Sequence, residues 1–316
     1  MSVTDLKFNK LITDDAIGYL QATQDFSATS AFPVVGSPDE YGSYPQYLLE
    51  DLLRTNLERV GPGASYPKSE VSEEWKTIEL YKHGLDRPIP DEKRKRLRNA
   101  KQDAADQLMV EGYRYLEKLM IDKFLADTSF DNLRTGTSAG TESECFKVFS
   151  DATSDPIDVV NEYVDVVAQK TGVKPDSILM TADVFRKLKS HGDIMGRIGE
   201  NLALRKGTLA TLAELFEVDN IYVTRGVENT ANKGGTDNTA YQATDTMVIY
   251  YKGQAAIDAK GAAKILYCDD PIYGGKLLNI LEGRDQDAEA DIIRIKGYFM
   301  PVVTAKPLGL KLKNCF

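Results

Sequence analysis

The chain has 316 residues, 42% of them hydrophobic, enough for one large or two ordinary domains with a real core. A net charge of −9 excludes a general nucleic-acid binder or an anionic-membrane binder, since such proteins neutralise phosphate with a basic surface, but not a container that holds DNA without gripping it. Three cysteines, Cys145, Cys268 and Cys315, odd in number and without a C-x-x-C pair, argue against a disulfide framework or a zinc site and for a reducing cytosol.

The N-terminus lacks a basic start followed by an apolar core, and no window approaches the roughly 18 apolar residues of a membrane span. No Asn-x-Ser/Thr acceptor occurs. Residues 1–63 read as an N-terminal arm. Its stretch 26–47, rich in Ser, Pro, Gly and Tyr, is extended, and Tyr47, Leu48, Leu52, Leu53 and Leu57 have the spacing of a short amphipathic helix closed by Gly61 and Pro62. The arm packs either on its own core or on a neighbour.

Residues 64–90 change to strand formers around polar turns, with Trp75, Thr77, Ile78, Leu80 and Tyr81 ahead of the breakers Gly84, Pro88 and Pro90. This predicts a two-stranded ribbon. Its apolar residues fall on both parities, so either its own subunit or an adjacent one must cover it. Residues 91–128 are the spine of the chain: Ala105, Leu108, Met109, Gly112, Leu116, Leu119, Met120 and Phe124 form one stripe of a long helix. Asp91 is a candidate N-cap, but the basic run from Lys93 to Lys101 suits a helix start poorly and moves the expected start toward Asn99 or Asp103.

Residues 130–154 read as an irregular junction. Asp155 as N-cap and Pro156 at N1 then open a helix that Gly172 ends. Strands are expected at 177–180, 221–224 and 247–251, with helices after Thr181 and around Leu209 to Phe216, giving a compact α/β unit over 155–261. Residues 262–316 carry strand-like runs at 265–267, 277–281, 292–295 and 298–304, the last returning to the spine.

A search for chemistry gives little. The acidic row Asp285, Asp287, Glu289 and Asp291 fails as a calcium loop, because Ala290 and Lys296 stand where Gly and the bidentate Glu belong, and it reads as a solvated edge. Asp269 and Asp270, beside Pro271, read as a turn. Residues 271–277 look like a phosphate loop but have Asp270 for the first Gly and Leu277 for the final Ser/Thr. The only histidines are His83 and His191, and nothing in their spacing asks for a Ser-His-Asp triad. The basic run is read as a solvated helix start ahead of a nucleic-acid contact.

The order of parts is more specific than any motif. An arm, a ribbon with PKSEVS (67–72) and KHGL (82–85), a long helix, an α/β unit with TGVKPDSILMT (171–181), VFRKLKSH (184–191) and LAELFEVDNIYV (212–223), and a closing strand region resemble the major capsid proteins of tailed double-stranded DNA phages. Encapsulins and the herpesvirus capsid floor share that fold. The resemblance implies an α+β capsid fold in which 64–90 is an extended loop lying on a neighbour, 91–154 and 262–316 form a peripheral domain, and 155–261 forms an axial domain.

It also implies a homo-oligomer of pentamers and hexamers in a virion capsid, assembled in the host cytoplasm around DNA held without specific binding. Scaffolding, portal and decoration proteins would be further partners, with no membrane, cofactor, metal or catalytic residue. Some members cross-link a ribbon Lys; Lys68, Lys76 and Lys82 lie in that region, and no motif selects one. The alternatives are an encapsulin-like shell around proteins and a metal-dependent α/β enzyme using Asp269, Asp270 or the acidic row.

Overall fold

The structure is a computed structural model that describes residues 4–8, 26–37, 41–47, 59–60, 66, 73–96, 99–140, 144–198, 209–231, 235–236, 238–268 and 275–316. The expected helix at 46–60 and the PKSEVS segment lie almost wholly outside these residues.

The spine is a 25-residue helix, Ala100–Phe124, with Asn99 at its N-cap position. At about 1.5 Å per residue it is roughly 37 Å long. Ala105, Leu108, Met109, Leu116, Met120 and Phe124 are completely buried along the predicted stripe. The basic run is accommodated by a separate short helix, Asp91–Arg96, whose first turn carries Asp91 and Glu92 and so presents acids to the positive helix end.

Two six-stranded sheets flank the spine. The first runs in the order Thr4–Phe8, Asn279–Asp285, Ala290–Val303, Ala263–Cys268, Val34–Ser37, with Tyr81–Pro90 also paired to Ala290–Val303. The two strands expected at 292–295 and 298–304 are one strand of 14 residues. Gly297 at its middle allows this, since a Cβ there would lie 2.3 Å from the Leu277 carbonyl oxygen.

The second sheet runs Cys145–Lys147, Asn132–Thr137, Gly309–Lys313, Thr246–Tyr250, Ser177–Thr181, Asn220–Thr224. Its strands Ser177–Thr181 and Thr246–Tyr250 are buried at every position, which is why they read as unbroken apolar runs. Helix Pro156–Thr171 packs here, capped by Asp155, whose Oδ1 accepts the N–H groups of Ile157 and Asp158, and ended by Gly172 at φ 70°.

Three expectations are corrected. The two described strands of the ribbon do not pair with each other: Glu73–Glu79 pairs antiparallel with Tyr41–Tyr47 of the arm, while Tyr81–Pro90 joins the first sheet. Both parities of 75–81 are apolar because Ile78 and Leu80 pack on the body while Trp75 and Tyr81 face out. The junction at 130–154 contains two strands of the second sheet. Gly136 belongs there because Asn314 of the closing segment passes so near that a Cβ would meet its carbonyl oxygen at 1.8 Å. Finally, Gly309–Lys313 lies in the second sheet, beside Thr246–Tyr250. Leu310 and Leu312 enter that sheet's core, and Lys311 on the other face donates to the Leu125 carbonyl and to Asp127.

Candidate assembly surfaces

The ribbon has two unlike faces. On the inner one, Tyr44, Ile78 and Leu80 pack with Val35, Leu266, Cys268 and Val302 of the first sheet. On the outer one Trp75 is 61% exposed, and Ser43, Thr77 and Glu79 are exposed beside it. Where the ribbon leaves the body, a cleft of about 1090 Å³ opens between Tyr44, Thr77 and Tyr81 on one side and Asp122, Ser129 and Met300 on the other.

The body holds the ribbon's exit strand firmly. Where Tyr81–Pro90 runs into helix Asp91–Arg96, Arg284 reaches Asp91 at 2.7 Å and Asp291 at 3.1 Å, Arg94 reaches Asp291 at 2.8 Å, and Lys101 bridges Asp291 at 3.2 Å and Glu282 at 2.6 Å. Asp291 is thus the centre of an ion cluster joining the spine to the first sheet. Burial raises its pKa, but the bonds from Arg94, Lys101 and Arg284 outweigh this and hold the carboxyl below its ordinary value.

The acidic row is therefore no single edge. Asp285 Oδ1 accepts the N–H groups of Asp287 and Ala288 in the hairpin turn, Glu289 sits at φ 46°, and Asp291 turns inward to the cations. Arg94 and Lys101 of the basic run are spent on the same cluster. No group of three His, Cys, Asp or Glu side chains that could hold a metal occurs among the described residues. Asp269, Asp270 and residues 271–274 lie outside them.

His191 comes nearest to a catalytic arrangement. Its Nε2 lies 3.4 Å from Ser154 Oγ, and its Nδ1 lies 3.8 Å from an Asp193 carboxylate oxygen. However, Nδ1 accepts the Asp193 backbone N–H at 3.3 Å, so the neutral ring carries its proton on Nε2, facing the hydroxyl. A general base needs a lone pair at that atom. Ser154 is buried and donates to the Asp151 carbonyl, so the group ties a loop to helix Gly192–Ile198. His83 packs against the rings of Tyr115 and Phe299, and burial lowers its pKa against a smaller upward contribution from the Phe299 backbone. Of the ribbon lysines, Lys76 is half-buried, Lys82 is exposed, and Lys68 lies outside the described residues.

Sequence reasoning missed the ion cluster, although the charges were visible, because their meeting depends on a hairpin register linking residues about 200 positions apart.

No protein-family model matches the chain. It is 24% identical over 306 residues to the major capsid protein of Burkholderia phage BcepMu, covering 95% of this chain and 94% of that one. Among solved structures it is similar to a phage-related protein of Bordetella bronchiseptica RB50, with a TM-score of 0.75, 15% identity and 99% of both chains covered. It is also similar to a virus-like particle from Pyrococcus furiosus (TM-score 0.54, 10% identity, 97% and 99% covered) and to Microbacterium phage Oxtober96 (0.55, 13%, 92% and 91%). These likenesses show a shared α+β fold. Over nearly its whole length the chain has the tailed-phage capsid fold and is similar to a phage major capsid protein.

Proposed function

We propose that copies of the chain assemble through pentamers and hexamers into a closed icosahedral shell around double-stranded DNA, in the host cytoplasm, with scaffolding, portal and decoration proteins as further partners. The ribbon carries this reading: it is rooted in a closed body, yet it leaves its Trp75 face uncovered. In this reading the extended loop of 64–90, paired with 41–47, lies on a neighbour. Residues 155–261 form the axial domain at the fivefold and sixfold axes, and 91–154 with 262–316 form the peripheral domain, which lends Asn132–Thr137, Cys145–Lys147 and Gly309–Lys313 to the axial sheet.

The net charge of −9 suits a wall that faces DNA without holding it. Among the described residues no helix is long and apolar enough to cross a membrane, and no membrane partner, cofactor, metal or catalytic step is part of the proposal. A second reading on the same fold is an encapsulin-like shell around protein cargo.

Negative-stain microscopy and sedimentation of the purified protein test both readings. Closed shells or rings of five and six copies are expected, and nuclease-protected DNA inside them separates the first reading from the second. A protein that stays monomeric at every concentration and salt, with and without a co-expressed scaffold, would refute shell formation.

A further inference from the structure

Three backbone carbonyls converge on one point in the loop that links the two sheets. The chain leaves the second sheet at Tyr250 and enters the first at Ala263. In between, residues 252–261 close on themselves. The Ala262 N–H donates to the Tyr251 carbonyl at 2.9 Å, Gly253 sits at φ 70° where a Cβ would lie 2.0 Å from the Lys260 carbonyl oxygen, and a Cβ on Gly261 would lie 2.9 Å from that of Lys252. Thr304 fastens this neck to the first sheet, its hydroxyl donating to the Gly261 carbonyl at 2.7 Å.

Lys264 reaches into the loop. Its ammonium donates to the carbonyls of Ala256 at 2.5 Å, Ala259 at 2.5 Å and Ile257 at 3.2 Å, and the residue is 1% exposed. On strand Ala263–Cys268 it shares a face with Leu266 and Cys268, members of an apolar cluster that Ile257 of the loop also joins. Burial draws the pKa of this amine below the ordinary lysine value, with the charge of Asp258 pulling the other way, so the carbonyls work against a desolvation cost.

The count of hydrogens is what makes the arrangement specific. Three N–H groups of an ammonium meet three acceptors, whereas a water molecule has only two hydrogens to give. Carbonyl oxygens turned to one centre are also the groups that replace the hydration shell of a small monovalent cation.

We infer that the carbonyls of Ala256, Ile257 and Ala259 form a binding site for a monovalent cation of the ammonium class, and that the Lys264 side chain is its tethered occupant. The crossover between the sheets is thereby held by a side chain of the strand it leads into, and its shape does not depend on which salt surrounds the protein. The inference stands on this loop alone and holds whether or not copies close into shells.

The test uses the full chain at pH 7, where free ammonium stays protonated. Lys264→Ala vacates the site and leaves room for a free cation, while Lys264→Met removes the charge and keeps the room filled. Thermal unfolding is compared in sodium, ammonium and tetramethylammonium chloride, each at about 150 mM so that screening is equal. Lys264→Ala is expected to melt about 3–5 °C below the unmodified protein in sodium or tetramethylammonium and to regain at least about half of that in ammonium. Lys264→Met should melt low in all three salts, and the unmodified protein alike in all three. Amide exchange over 253–262 should quicken roughly tenfold in Lys264→Ala in sodium and slow again in ammonium.

A Lys264→Ala protein that melts like the unmodified chain, or that responds no better to ammonium than to sodium, overturns the site. So does an equal ammonium response from Lys264→Met, because that variant has no room for the ion. If Lys264→Ala does not fold in sodium, its refolding yield in the two salts is the reading: a higher yield in ammonium supports the site and equal yields overturn it.

Discussion

Replacing Asp291 by Asn tests whether the ion cluster holds the spine to the first sheet. The Asp291 side chain is only 6% exposed and faces Arg94, Lys101 and Arg284. Removing one partner of a fully buried pair costs about 3–5 kcal/mol. Here the three cations are 38–42% exposed, Arg284 keeps Asp91, and Lys101 keeps Glu282, so water and the remaining acids recover much of that. After this screening the expected loss is about 1–2 kcal/mol. With an unfolding entropy of about 2.1 cal/mol/K per residue, a chain of this length shifts by roughly 1.5 °C per kcal/mol, so Tm should fall by about 2–3 °C.

The pH dependence is the sharper measurement. Burial opposes the charged form, but the three cations lower the folded pKa of Asp291 below its ordinary value. A lowered folded pKa gives stability that is complete above the unfolded value of about 3.9 and is lost as pH falls through the folded one. Thermal unfolding followed by circular dichroism from pH 7 down to pH 2 should therefore show a gap between the two proteins that closes below about pH 4. Equal melting at pH 7, or a gap that persists undiminished at the acid end, would refute the reasoning.

Phe124→Ala should cost about 3–5 kcal/mol in urea unfolding, because the ring is completely buried and its centroid lies 4.4 Å from that of Phe32; a loss below about 1 kcal/mol would contradict the packing. Gly136→Ala should cost about 2 kcal/mol or more by pushing Asn314 away, and amide exchange should quicken along Gly309–Lys313 rather than along the spine. Asp155→Ala removes the cap bonds to Ile157 and Asp158 and a 3.0 Å ion pair with Arg197, so a loss of about 1 kcal/mol is expected from chemical denaturation, with Asp155→Ser recovering most of it.

Elements whose signals are local were legible in the sequence. The spine showed its stripe, helix Pro156–Thr171 its cap, proline and terminal glycine, and the central strands of the second sheet their unbroken apolar runs. The misreadings share another cause: they concern pairings between distant segments. Glu73–Glu79 has no sequence mark naming Tyr41–Tyr47 as its partner, because any extended neighbour satisfies the same hydrogen bonds. The strands at 130–154 were hidden by Gly, Ser and Thr, which read as loop until Asn314 is seen lying against Gly136. The short closing strand was grouped with the rest of 262–316, since nothing local shows that Lys311 has carbonyl and carboxylate partners in the second sheet's surroundings. For His191 the residue types allowed a triad, and only the direction of one backbone N–H decides against it.

A shell subunit must repeat one shape many times, and the distribution of buried polar groups bears on how that shape is fixed. Apolar packing resists separation but tolerates sliding, whereas a buried hydrogen bond is lost with a small change of angle. Glu117, buried in the middle of the spine, accepts bonds from Ser27 in the arm at 2.6 Å and from Thr224 in the edge strand of the second sheet at 2.9 Å. Tyr250, at the end of a central strand, donates to the Ala31 carbonyl at 2.6 Å while its ring stacks on Phe32. Lys252 reaches the Ser30 carbonyl and the Tyr222 hydroxyl. All three groups lie where the arm, the spine and the second sheet meet, and each would unpair if those parts rotated against one another. The apolar clusters make the body stable. These directional bonds fix the arm and the spine against the second sheet.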